Sequence, residues 1–103
     1  MDRIQKLTQM LEASPRDCFL LHALGLEYIK LGELNNALNY FEKVIASDKN
    51  YVGTYYHLAK GYEKIGNAAK AIETYENGIQ VAIVLKDQHA KNELQMALED
   101  LTM

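Results

Sequence analysis

The residue types that could carry covalent or metal chemistry are few in this sequence. Cys18 and His22 are four residues apart, so a helix would place them on one face, and His57 could supply a third group. Such a trio could bind a transition metal or pair a thiol with a base. However, the sequence has one cysteine, no Cys-x-x-Cys pair and no glycine-rich phosphate loop. We therefore expect no enzymatic activity, no cofactor and no metal site.

Recognition by aromatic and basic side chains is the stronger chemical signal. Residues 51–67, with the sequence YVGTYYHLAKGYEKIGN, contain four of the seven tyrosines. On a helix the neighbours Tyr55 and Tyr56 point about 100° apart and cannot serve the same surface. Tyr55 opens an apolar stripe of helical spacing, whereas Tyr56 is followed by Lys60 and Lys64 at successive turns. We expect Tyr55 to hold the fold together and Tyr56 to face a partner.

The elements that position these residues recur with a period of 34 residues. Writing residues 18–51 above residues 52–85 gives seven identical pairs at this one offset. The pairs are Leu24 with Leu58, Tyr28 with Tyr62, Lys30 with Lys64, Gly32 with Gly66, Ala37 with Ala71, Glu42 with Glu76, and Ile45 with Ile79. Each unit holds two apolar stripes of helical spacing, separated by a glycine suited to the left-handed backbone that ends a helix. The repeating unit is therefore a helical hairpin.

Both flanks of the two hairpins are also predicted to be helical. Ile4, Leu7, Met10 and Leu11 form an apolar face ahead of Pro15, and Asp87 is suited to cap a last helix with one apolar face. A polar outer face is what the end of a stacked array requires. The predicted organisation is a single all-α domain over residues 1–103, with about six helices. Its parts are a half-repeat helix at 2–14, repeat one at 18–51, repeat two at 52–85 and a capping helix at 87–102.

The pattern of large and small residues in each hairpin resembles the tetratricopeptide repeat. Gly25 and Ala37 stand where paired helices would approach too closely for a larger side chain, and Phe41 fills the adjoining hole. The motif's residues are Leu21, Leu24, Gly25, Tyr28, Ala37 and Phe41 in repeat one, and Tyr55, Leu58, Ala59, Tyr62, Ala71 and Tyr75 in repeat two. The family's proline near the end of each repeat is present only as Pro15, so the last helix of repeat two could continue through residues 78–87. The resemblance implies a right-handed stack of antiparallel helical hairpins.

The same resemblance implies a concave groove, lined by the first helix of each hairpin, that binds a peptide or a segment of another protein. The implied lining residues are Phe19, His22, Leu26, Lys30, Asn50, Tyr51, Tyr56, Lys60 and Lys64. Because this set is aromatic and basic, we expect a partner segment with apolar anchors and acidic residues. The predicted function is that of a protein-binding scaffold or adaptor.

The apolar run at residues 79–85 supports an alternative, a self-associating module. The run is apolar on more sides than one hairpin needs, and we expect Ile83 to be buried within the hairpin. The residues that would remain for contact with another chain, as in a homodimer, are Val81, Val84 and Leu85. In the opposing interpretation, the capping helix covers the whole run.

Charge and hydropathy exclude two other classes of partner. The net charge of −3 opposes binding to nucleic acid, which requires clustered lysine and arginine. The longest apolar run, VAIVL at residues 81–85, is far too short to span a bilayer. The first residues carry charges and alternate polar with apolar side chains, so we expect no signal peptide there. With a single cysteine, the sequence is that expected of a cytoplasmic protein.

Overall fold

Every regular element in residues 2–103, the part of the chain that the computed structural model describes, is an α-helix. The helices are α1 (Arg3–Ala13), α2 (Cys18–Lys30), α3 (Leu34–Ser47), α4 (Gly53–Lys64), α5 (Ala68–Leu85) and α6 (Gln88–Thr102). They fall into an N-terminal unit with α1 to α3 and a C-terminal unit with α4 to α6, divided between Lys49 and Asn50. The prediction of an all-α fold built from helical hairpins is confirmed.

Helices α1, α2, α5 and α6 begin at an aspartate or asparagine whose side chain accepts a hydrogen bond from a backbone N–H group that the helix leaves without a partner. The carboxylate of Asp17 accepts from the N–H of Leu20 at 3.1 Å, and that of Asp87 accepts from the N–H of Ala90 at 3.0 Å. Asp2 caps α1 in the same way, in a reciprocal pair with Gln5. The predicted cap at Asp87 is therefore confirmed.

The first helix of each repeat ends at a glycine in the left-handed region. Gly32 has φ of +75° after α2, and Gly66 has φ of +83° after α4. At each stop the next backbone N–H returns to the last turn of the helix, which satisfies a carbonyl group that would otherwise lack a partner. The two helices of a repeat are thereby joined by short turns, as the period predicts.

In the N-terminal unit, α2 and α3 meet at Gly25. A Cβ atom added at this position would overlap the ring of Phe41, which is fully buried. On its other side α2 packs on α1 through Leu7, Leu20 and Leu24. The absence of a side chain at residue 25 thus sets the distance between the two helices of repeat one.

In the C-terminal unit, α5 packs against both α4 and α6. A Cβ atom added at Gly78 of α5 would lie 2.7 Å from the Cβ atom of Tyr55 and 3.0 Å from a methyl group of Leu94. The helix continues to Leu85, as the missing proline allows, and Lys86 then takes a left-handed conformation with φ of 57°. Only Lys86 and Asp87 separate α5 from α6.

The buried Tyr75 of α5 has a polar partner that the sequence analysis did not foresee. Its hydroxyl group donates a hydrogen bond to the carboxylate of Glu63 on α4. Burial raises the pKa of Tyr75 well above its usual range, and the hydrogen bond to Glu63 and the nearby negative charges act in the same direction. Repeat one has Phe41 at the equivalent place, so this bond distinguishes the two hairpins.

Replacing Gly25 by alanine tests the close approach of α2 and α3. Because the new methyl group would overlap the Phe41 ring, we expect the free energy of unfolding to fall by about 1 to 3 kcal/mol. The matched control is Gly53→Ala at the start of α4, where an added Cβ atom meets nothing within 4 Å. Urea unfolding should show the control unchanged or stabilised by up to about 1 kcal/mol. Equal effects of the two substitutions would contradict the close approach.

The phenol of Tyr75 should make stability depend on alkaline pH. Its raised pKa means that the folded chain keeps the proton while unfolded tyrosines ionise near pH 10, so this contribution is complete below pH 10 and declines above it. Tyr75→Phe should cost about 1 to 2 kcal/mol at pH 7 and flatten the decline above pH 10. Unfolding in urea from pH 8 to pH 11.5 measures both effects. An unchanged slope in the variant would refute the assignment.

Candidate partner-binding surface

Helix α2 carries four of the predicted groove residues, Phe19, His22, Leu26 and Lys30, and they differ in exposure. Phe19 is 65% exposed, an unusual fraction for a phenylalanine, whereas Leu26 is half-buried. Lys30 is exposed, but its Nζ atom lies 3.0 Å from a carboxylate oxygen of Glu27 in the same helix. That carboxylate also lies 3.6 Å from the guanidinium of Arg3 on α1. The charge of Lys30 is therefore partly compensated inside the N-terminal unit.

Cys18 and His22 face the second helix of their hairpin. The Cys18 thiol lies 3.7 Å from the carbonyl oxygen of Val44, and the half-buried ring of His22 packs on Phe41 with the ring centroids 5.5 Å apart. No group of three or more histidine, cysteine, aspartate or glutamate side chains in residues 2–103 is arranged to hold a metal ion. These two residues thus contribute to the packing of repeat one.

The adjacent tyrosines of α4 have separate environments. Tyr55 is only 5% exposed and packs in the core, whereas Tyr56 is half-buried at the side of the helix. Tyr55 is thus part of the core, as predicted, whereas the partner-facing role of Tyr56 stays a prediction. Two other predicted groove residues, Asn50 and Tyr51, lie just before α4, the first exposed and the second half-buried.

Tyr56 lies in a pocket of about 190 Å³ between α4 and α6. The lining residues are Tyr56, Lys60, Glu93, Met96, Ala97 and Asp100. The four residues from α6 are absent from the predicted groove, because the sequence predicts that helix only as a cap. Their spacing contained the signal: Glu93, Met96 and Asp100 lie at i, i+3 and i+7, which places them on one helix face.

The charges near this pocket are arranged around Lys60. Its Nζ atom lies 5.7 Å from the centroid of the Tyr56 ring and 3.5 Å from a carboxylate oxygen of Glu63. Lys64, one turn further along α4, is exposed. Burial lowers the pKa of His57, and the carboxylate of Glu93 opposes that shift. The carboxylate of Glu93 on α6 thus acts on His57 of α4.

The last turn of α5 exposes a run of apolar side chains. Ile83, Val84 and Leu85 are 47%, 73% and 44% exposed, while Val81 is half-buried. The expectation that Ile83 would be buried is wrong. The buried face of α5 passes through Ala82, and its neighbour Ile83 points about 100° away from that face.

Within residues 2–103, no helix combines the length and the apolar character needed to cross a membrane.

Known proteins share this architecture. The family model for the tetratricopeptide repeat matches residues 20–51 and 52–82. A TPR repeat-containing protein of Pseudomonas aeruginosa is 26% identical over 98 residues, which make up 95% of this chain and 93% of that protein. The match extends the similarity beyond the two repeats to nearly the whole chain.

Two solved structures are similar in fold. The crystal structure of a tetratricopeptide repeat domain protein from Salinibacter ruber has 41% identity and a TM-score of 0.78, and the match covers 82% of this chain and 94% of that one. The solution structure of a Bordetella parapertussis protein has 26% identity and a TM-score of 0.84, over 98% of this chain and 88% of that one. Proteins with tetratricopeptide repeats commonly act as protein–protein interaction modules. With two matching repeats and these relatives, this chain belongs to the tetratricopeptide repeat family.

Proposed function

We propose that this chain is a non-catalytic interaction module that binds a peptide or a segment of another protein on the outward faces of α2 and α4. The observation that carries the proposal is the division between Tyr55, which is buried, and Tyr56, which lies in a surface pocket. An aromatic ring held at a surface by a rigid helix supplies a large contact area at little entropic cost. The predicted repeat boundaries, 18–51 and 52–85, are part of this proposal.

The partner segment would carry apolar anchors that cover exposed apolar surface. In the N-terminal unit the anchor site would be Phe19 together with half-buried Leu26, and in the C-terminal unit it would be Tyr56. Acidic residues of the partner would meet Lys30 and Lys64, which lie in the last turns of α2 and α4. Such rim charges would steer association more than they would add affinity.

The chemistry of the chain supports a protein partner in the cytoplasm. A net charge of −3 disfavours nucleic acid, because phosphates repel an acidic surface. A single cysteine fits a reducing compartment. Cys18 and His22, the residues most suited to catalysis by type, are packed against α3. These features support the proposed role as a scaffold or adaptor.

Capture of partners from source cells tests this function. The full chain that carries both Phe19→Ala and Tyr56→Ala should no longer capture the proteins that the unmodified chain captures, because it lacks both aromatic anchors. Met10→Ala on α1 is the matched control, since Met10 is 56% exposed but lies outside the first helices of the two repeats. Quantitative mass spectrometry compares the three samples. Equal retention by the double variant and the unmodified chain would contradict the proposal.

Self-association through the end of α5 is the second candidate function. Ile83, Val84 and Leu85 are exposed together, and a contiguous apolar surface often marks contact with another chain. A homodimer formed here would bury all three side chains. Of the residues predicted for this contact, Val81 would contribute least because it is half-buried already.

Light scattering over a concentration series tests self-association. If the end of α5 is the interface, the apparent mass should rise with concentration, and Val84→Glu should abolish the rise by placing a charge in an apolar contact. Glu76→Gln, on an exposed part of the same helix, is the control and should leave the rise intact. A mass of 11.7 kDa at every concentration would eliminate this candidate.

A further inference from the structure

The pocket between α4 and α6 has walls of mixed chemistry. Tyr56 and Met96 supply apolar surface, and Met96 is 66% exposed. Glu93 and Asp100 supply carboxylates on the α6 side. We propose that this pocket binds a segment of a partner protein in which an apolar anchor is flanked by basic residues. The inference rests on the proposed function and assigns the chemistry of the partner at this one site.

Lys60 does not make the pocket basic, because its charge is already compensated. Its Nζ atom lies 3.5 Å from the carboxylate of Glu63, and it also lies over the Tyr56 ring. The carboxylates of Glu93 and Asp100 make no ion pair within residues 2–103. An incoming carboxylate would meet two like charges here, whereas two basic side chains would each complete one ion pair.

The negative potential of the α6 carboxylates reaches the neighbouring helices. Asp100 contributes to the raised pKa of Tyr75 on α5, behind the larger effects of burial and of Glu63. Glu93 acts on His57 of α4 by favouring its charged form, against the larger effect of burial. Two groups on two different helices thus respond to the charges that line this pocket, so a bound cation would respond to them as well.

The spacing of the carboxylates sets the form of the segment. Glu93 and Asp100 are seven residues apart on α6, so they lie roughly 10 Å apart along its axis at 1.5 Å per residue. Met96 lies between them on the same face. An extended peptide advances about 3.3 to 3.6 Å per residue and its side chains alternate between two faces. Basic residues four positions apart therefore share a face at a spacing of roughly 13 to 14 Å, and their long side chains can reach both carboxylates. The residue midway between them lies on the same face and would place its side chain on Met96 and Tyr56.

The aliphatic stems of the basic residues would add apolar contact with these two side chains. The acidic residues expected in a partner would not use this pocket. They would lie near Lys30 or Lys64, so a single partner could carry both kinds of charge.

Titration of the full 15N-labelled chain with two capped peptides tests this assignment by NMR. The first peptide is Gly-Arg-Ala-Phe-Ala-Arg-Gly, and the second has glutamate in place of both arginines. We expect the basic peptide to shift amide signals of α4 and α6 and the acidic peptide to leave them in place. The Kd of the basic peptide should rise roughly 3- to 10-fold in the double variant Glu93→Gln/Asp100→Asn, as expected for the loss of two exposed ion pairs.

The control is the double variant Glu76→Gln/Glu99→Gln, which removes the same net charge from exposed positions outside the pocket. Its Kd should stay within about twofold of that of the unmodified chain, and thermal melting confirms that both variants fold. Equal weakening in both double variants would overturn the inference, as would absence of binding by the basic peptide at millimolar concentration. Binding of the acidic peptide instead, with shifts on α2 or α4, would overturn it while the proposed function stands. Failure of the proposed function would appear separately, as unchanged partner capture by the Phe19 and Tyr56 variant.

Discussion

The close approach of two helices within each hairpin is the constraint on which the other features depend. In repeat one, Gly25 of α2 lies against the buried ring of Phe41 on α3. In repeat two, the equivalent pair is Ala59 and Tyr75, both without exposed surface. At this close contact the first helix of each repeat can take only one orientation about its own axis. Any other orientation would bring a larger side chain to the contact. The surface positions of exposed Phe19 and half-buried Tyr56 follow from that orientation.

The parts of the fold that follow the period of 34 residues could be predicted from sequence. Residues that are identical at this one offset indicate the same buried helix face in both repeats. The capping helix does not follow the period. The residue 34 positions after Leu58 is the exposed Asn92, whereas the buried residue is Leu94. The side chains that α6 brings to Tyr56 were therefore missed, although their own spacing held the information. Ile83 was misplaced for a related reason, since a run of apolar residues alone does not say which side of a long helix is covered.

Compensation of the lysine charges was the other property that could not be predicted from the sequence. Lys30 and Lys60 each pair with a glutamate three positions away in the same helix, namely Glu27 and Glu63. Counting lysines along a helix face overstates the potential there, because such pairs cancel at short range and exposed pairs hold their geometry weakly. The aromatic part of the predicted surface could be placed with more certainty than its charge, since burial patterns depend on residue size and phase and ion pairs depend on rotamers.

Gly78 has a consequence for how the pocket between α4 and α6 could change over evolutionary time. It belongs to α5, which contributes no residue to the pocket lining, yet Tyr55 of α4 and Leu94 of α6 both rest against it. The size of the side chain at residue 78 therefore governs the distance between α4 and α6, the two helices that form the walls of the pocket. Ligand preference can consequently drift through substitutions behind the site while every residue that touches a ligand stays the same. A comparison of binding residues among relatives would not detect such a change, whereas a comparison of the residues that support them would.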